Sequence, residues 1–187
     1  MLEIEMKFPV PDHEATRRRL VELGAVEQPA LEQVDAYFNH PIRDFAQTSE
    51  ALRIRTSNGR VMLTYKGPQL DPLIKVRHEI ETQIEPGSLA GFRETLVLLG
   101  FRPVCDVVKR RIPWRLRHTG REFEVALDDV DQLGAFVEVE TLAPESERAS
   151  ARDALLAVAE ALTLSGQIRK SYLRMLLDKA NGAGTGE

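Results

Sequence analysis

A single cysteine, Cys105, occurs in 187 residues. That excludes an intramolecular disulfide and argues against a thiolate metal cluster within one chain. Cys105 sits in the apolar stretch 103–108 and is expected to be a buried thiol. Long apolar runs are missing too. No segment approaches the roughly 20 apolar residues of a membrane span, and the N-terminus carries Glu3, Glu5 and Lys7 instead of an apolar signal core. A cytoplasmic location without membrane partners is the expectation. A basic excess is absent: 25 Lys and Arg face 29 Asp and Glu, for a net charge of -4, which is not the footprint of a nucleic-acid binder. Histidines are few and scattered, at 13, 40, 78 and 118, and form no triad with a serine. No internal repeat or linker divides the chain. One domain over 1–179 is expected, followed by a disordered Gly-rich tail over 180–187.

Charge is abundant, and its placement is informative. Residues 2–9 alternate, with Leu2, Ile4, Met6 and Phe8 on one side and Glu3, Glu5 and Lys7 on the other, as a strand requires. Asp12 can cap a helix that Gly24 stops. A strand over 32–39 precedes a polar loop over 40–49. Segments 51–57 and 60–67 flank Asn58-Gly59, a hairpin signal. Further strands are expected over 75–84, 101–117, 121–128 and 135–142. Helices are expected over 86–99, 145–164 and 167–179. Many antiparallel strands with inserted helices make an α+β domain.

In an ordinary half-buried sheet the polar face is mixed. Here it is dominated by charge: Glu3, Glu5, Lys7; Arg53, Arg55, Lys66; Lys75, Arg77, Glu79, Glu81; Lys109, Arg111; Glu122, Glu124, Asp128; Glu138, Glu140. The opposite faces are apolar and suited to packing under helices. On one strand a solvated face with cross-strand ion pairs would be the natural reading. Repetition of both signs on strand after strand favours a sheet closed into a barrel with the charges inside. Interior charges persist only when paired or bound to ions. Glu3/Glu5 and Glu138/Glu140, spaced by two, suit a hard divalent cation such as Mg2+ or Mn2+, and Asp128 could add a ligand. Arg53 and Arg55 present forks for phosphate oxygens, and Lys7, Lys66 and Lys109 add point charges. Tyr37 and Phe38 could stack a base, although core packing is the commoner role of such residues.

The run Glu-Ile-Glu-Met-Lys at 3–7 resembles the Glu-x-Glu-x-Lys opening of the CYTH superfamily, the triphosphate tunnel metalloenzymes. LRIR at 52–55, LTYKGP at 63–68, Arg-x-Glu-x-Glu at 77–81, Lys-x-Arg at 109–111, Asp128, Glu-Val-Glu at 138–140 and KSYL at 170–173 follow in family order. The resemblance implies a closed eight-stranded antiparallel barrel forming a tunnel, with flanking helices. It implies metal sites at Glu3, Glu5, Asp128, Glu138 and Glu140, of which Glu5, Asp128 and Glu138 are the expected catalytic groups. It implies that Lys7, Arg53, Arg55, Lys66, Arg77, Lys109, Arg111 and Lys170 hold the triphosphate, with Glu79 and Glu81 touching metal or orienting a cation. Segments 34–55 and 127–140 are most similar to the class IV adenylyl cyclase branch, although Asn39 stands where some members have Asp. The expected reaction is ATP to cyclic AMP and pyrophosphate. A thiamine, nucleoside or inorganic triphosphatase is the alternative, and a non-catalytic polyphosphate or nucleotide sensor ranks last. The strand edges leave room for a homodimer.

Overall fold

The computed structural model describes residues 2–70 and 75–182, the side chain of Lys75 excepted. Nine strands and five helices follow one another as β1 (Leu2–Pro9), α1 (Glu14–Glu22), β2 (Val26–Glu27), β3 (Leu31–Asn39), α2 (Phe45–Thr48), β4 (Ala51–Ser57), β5 (Arg60–Lys66), β6 (Lys75–Ile84), α3 (Leu89–Leu98), β7 (Arg102–His118), β8 (Arg121–Val130), β9 (Gly134–Ala143), α4 (Arg148–Ala161) and α5 (Tyr172–Ala180).

Eight of the strands run in the order β7-β3-β4-β5-β6-β1-β9-β8, and β8 pairs back onto β7. The result is a closed antiparallel barrel. Closure depends on the 17 residues of β7. Its first part pairs with β3 from Asn39↔Arg102 to Leu31↔Arg111, and its second part pairs with β8 from Lys109↔Val130 to His118↔Arg121. The hairpin between β4 and β5 turns at Asn58 and Gly59, both at positive φ (46° and 80°), the geometry a two-residue turn needs. Strand β2 adds a two-residue ladder to β7 at Trp114 and Arg115. Nothing in the alternation of so short a segment announces it.

The apolar faces point outward and are covered by helices. Leu20 of α1 and Ala151, Leu155 and Val158 of α4 pack over Leu2, Ile4, Met6 and Phe8 of β1 and their neighbours on β8 and β9. Phe45 of α2 and Leu96 of α3 cover Phe38, Leu52 and Ile54. Helix α5 is different. Its Tyr172 and Leu176 pack with Val130 and Phe136. By the period of two these share the tunnel face with Asp128 and Glu138, so α5 covers one end of the barrel interior.

Three local expectations need correction. The loop over 40–49 contains a helical turn, because Asp44 caps α2 through its carboxylate on the Ala46 N–H. The last helix begins at Tyr172, not 167, because the Ser171 hydroxyl caps it by accepting from Arg174 N, while Ile168 N donates to Lys7 O at 2.8 Å. Lys170 therefore precedes the helix. Cys105 is half-buried, packed at the edge of the α5 cluster. The C-terminal end of α5 at Ala180 passes the expected domain boundary by one residue, and residues 183–187 of the expected tail lie outside the described residues. Among the described residues no helix is long and apolar enough to cross a membrane.

Leu155 is fully buried between α4 and β1. Leu155→Ala is expected to cost about 2–5 kcal/mol, read as a lowered urea midpoint with an unchanged slope.

Candidate functional site

Register decides which charges meet. Across the β1–β9 ladder Glu5 faces Glu140 and Lys7 faces Glu138. On the other edge of β1, Glu3 faces Arg77 of β6. One ligand oxygen from each of Glu3, Glu5 and Glu140 lies within 4.8 Å of the others. Burial, and next the charge of Glu3, push the Glu140 carboxyl up to about 8. Glu3 and Glu79 share the Lys66 ammonium. Burial opposes charge on both. Glu79, Lys66 and Arg53 hold Glu3 well down, and the neighbouring Glu3 carboxylate raises Glu79. Carboxylates this crowded, with oxygen the sole donor type, fit a hard divalent cation such as Mg2+ or Mn2+.

Cations form much of the rest of the wall, and most of them have a carboxylate partner. Arg55 donates from Nε and Nη2 to the two oxygens of Asp35 at 2.6 and 2.7 Å. Arg53 reaches Asp35 at 3.6 Å, Thr64 at 3.1 Å and Glu81 at 3.4 Å. Its Nε is buried without a hydrogen-bond partner, an arrangement that an anion oxygen would satisfy. Lys66 pairs with Glu3 at 3.1 Å and with Glu79. Lys109 and Arg111 both bind Asp128, at 2.8 and 2.7 Å. Arg111 also binds Glu138, which Lys7 meets at 3.2 Å. Burial, then the neighbouring Arg111, lower Lys109 to about 8. Asp35 moves the opposite way to Glu140: burial resists its charge, but Arg55 and Arg53 hold it at about 2.

The expected site residues thus separate into groups. Glu3, Glu5 and Glu140 form the metal-competent cluster. Asp128 and Glu138 lie outside it, with their oxygens on Lys109, Arg111 and Lys7, and Asp128 is 0% exposed. Lys7, Arg53, Arg55, Lys66, Glu79, Glu81, Lys109, Arg111 and Glu138 line one cavity of about 500 Å³ with the acidic cluster. Arg77 lines it as well, donating to the Gln69 side chain at 3.0 Å and the Ser49 carbonyl at 3.5 Å. Lys170 stands at the rim. Its side chain is 65% exposed and paired with Asp178 at 3.0 Å, while its backbone carbonyl accepts from Lys7 Nζ at 3.3 Å. Tyr37 and Phe38 point to opposite faces: Phe38 is buried in the outer core, and Tyr37 packs at the tunnel-side cluster and lines the cavity opposite Arg53.

Two participants were not singled out in the sequence. Asp35 is the lone charge on its strand face, so the rule of repeated charge passed over it. The pairing Asp35↔Arg55 exists only in the folded ladder. Tyr172 was quoted only within the KSYL run. In the structure its hydroxyl donates to Asp128 at 3.0 Å, and Lys7 Nζ lies 3.6 Å from its ring centre.

The CYTH domain model matches residues 1–172. The chain belongs to the CYTH domain family. A relative in Methanocaldococcus jannaschii, named "Putative adenylate cyclase", is 35% identical over 178 residues, covering 94% of this chain and 98% of its own length. A Pyrococcus horikoshii protein of solved structure is 36% identical with a TM-score of 0.84, over 95% of this chain and 99% of that one. A second P. horikoshii structure is 30% identical with a TM-score of 0.73, over 91% and 97%. The shared fold and the carboxylate cluster make this CYTH chain a candidate triphosphate-acting enzyme.

Asp128→Asn removes the carboxylate that Lys109 and Arg111 share. It is expected to destabilise the fold by about 3–5 kcal/mol, the cost of breaking a buried pair, in urea titrations without added metal. The acidic cluster behaves otherwise. With its folded pKa raised from 4.5 to about 8, protonated Glu140 contributes stability that is full below about pH 4.5 and is lost as pH rises through about 8. In EDTA the wild type should lose stability over that window, and Glu140→Gln should flatten the profile. An unchanged profile in the variant would remove Glu140 as its source.

Proposed function

We propose that this protein is a metal-dependent adenylyl cyclase that converts ATP to cyclic AMP and pyrophosphate. The observation that carries the reading is the meeting, in one cavity, of the Glu3–Glu5–Glu140 cluster with the paired forks of Arg53 and Arg55. A carboxylate group beside several cations suits a ligand rich in negative oxygens that arrives with a divalent metal. Tyr37 and, from α5, Leu173 and Leu177, all half-buried, also line the cavity. That apolar lining favours a triphosphate with an organic group over the inorganic ion. The name of the M. jannaschii relative supports the cyclase within this class.

A divalent cation held by Glu3, Glu5 and Glu140 would supply the acidity that makes a ribose hydroxyl nucleophilic at neutral pH. The chain's own residues do the remainder. Arg53 and Arg55 donate to phosphate oxygens from the N–H groups that Asp35 leaves free, and Asp35 keeps the two guanidiniums in register. Lys7, Lys66, Lys109 and Arg111 neutralise the charge that grows on the leaving pyrophosphate. The 3′-oxygen bonds to the α-phosphorus as the bond from that phosphorus to the pyrophosphate oxygen breaks, and a proton is released.

Phosphorus NMR of the purified protein with ATP and Mg2+ or Mn2+ tests this. Cyclic AMP with pyrophosphate is the expected outcome. ADP with orthophosphate would sink the cyclase and make the protein a triphosphatase. Arg53→Ala should weaken ATP binding by at least about tenfold, the loss of charge-assisted hydrogen bonds. Unchanged affinity would exclude Arg53 from the site.

A further inference from the structure

Tyr172 enters the tunnel from outside the barrel. It is 7% exposed, and its ring meets Phe136 edge-on at 5.1 Å. Lys7 Nζ stands 3.6 Å from the ring centre and Lys109 Nζ 5.0 Å from it. The Tyr172 hydroxyl donates to Asp128 Oδ2, the atom that Lys109 and Arg111 also bind. One side chain therefore touches Lys7 directly and reaches Lys109 and Arg111 through their shared carboxylate. The segment before it is anchored to the same place, because Ile168 N donates to the Lys7 carbonyl and Lys7 Nζ donates to the Lys170 carbonyl.

We propose that Tyr172 is a positioning residue for anion binding: its ring, delivered by the C-terminal segment, holds the Lys7 and Lys109 ammoniums in the geometry that receives phosphate. The inference rests on the reading of the tunnel as a triphosphate site. The physical case is one of pre-organisation. A buried ammonium is attracted to an aromatic face, most strongly where water is excluded. Lys7 is 2% exposed, and its flexible stem has several rotamers to lose. A wall formed by the ring and Glu138 fixes the ammonium before the ligand arrives, so the ordering cost is not charged to binding. The ring also lies within reach of both ammoniums, and its electron-rich π system favours their approach.

The test is calorimetric titration of the full chain with sodium tripolyphosphate, with and without Mg2+. Tyr172→Leu should weaken binding about tenfold through loss of the aromatic face. Tyr172→Phe should stay within about threefold of wild type, because Asp128 keeps Lys109 and Arg111. Leu176→Ala, which loosens the packing of α5 while leaving the Tyr172 side chain in place, should lower Tm and leave affinity unchanged. Where Tyr172→Leu does not fold, Tyr172→Met carries the same expectation. Wild-type affinity in the folded Leu or Met variant would overturn the proposal. So would a Phe variant as weak as the Leu variant, or a Leu176→Ala variant that loses affinity equally, since packing alone would then explain the effect. Failure of the wild type to bind tripolyphosphate under either condition would overturn the triphosphate reading and this inference together. Binding by the wild type with no change in Tyr172→Leu would overturn this inference alone.

Discussion

An ion cannot be moved out of water and left alone, and the interior of this barrel is built around that constraint. Helices α1 to α4 occupy the outside, where each strand offers its apolar face. The charged faces are thereby turned inward. Their members answer one another across neighbouring strands: Asp35 with Arg55 and Arg53, Asp128 with Lys109 and Arg111, Glu138 with Lys7. The ladders set these pairs, so the interactions that stabilise the closed sheet are also the ones that arrange the site. A polyanionic ligand would exchange one set of counter-charges for another without asking the barrel to move.

Carboxylates of one chemical type serve two purposes here, and their surroundings separate them. Asp35 sits under two guanidiniums and stays ionised at about 2. It is a fixed counter-ion that orients forks. Glu140 sits in a buried place beside Glu3 and Glu124 and is pushed up to about 8. It is short of positive charge, as a group that takes a metal should be. The division between carboxylates paired with cations and carboxylates gathered in a metal-competent cluster follows from which neighbour the register supplies.

The C-terminal segment belongs to the site as much as to the surface. Helix α5 packs where the tunnel face turns apolar at Val130 and Phe136, and Tyr172 carries that apolar contact into the charged interior. Strand β7 makes this possible. Val107 and Cys105 of its first part pack in the same cluster as Tyr172 and Leu176.

The sequence by itself determined the architecture. Alternation with a period of two is a local property, and a charged face repeated on successive strands leaves little besides a closed barrel with a polar interior. The identities of most lining residues, from Glu3 to Glu140, were legible for the same reason. Tertiary structure alone decided the partners. Register sets Asp128 and Glu138 against Lys109, Arg111 and Lys7, and gathers Glu3, Glu5 and Glu140 into one cluster. Sequence spacing could not assign Asp35 or Tyr172, whose roles arise from contacts at separations of 20 and 44 residues. Period tells which way a side chain points. Which atom it meets there depends on strand pairing and on where the last helix docks, and those are long-range choices that no local pattern encodes.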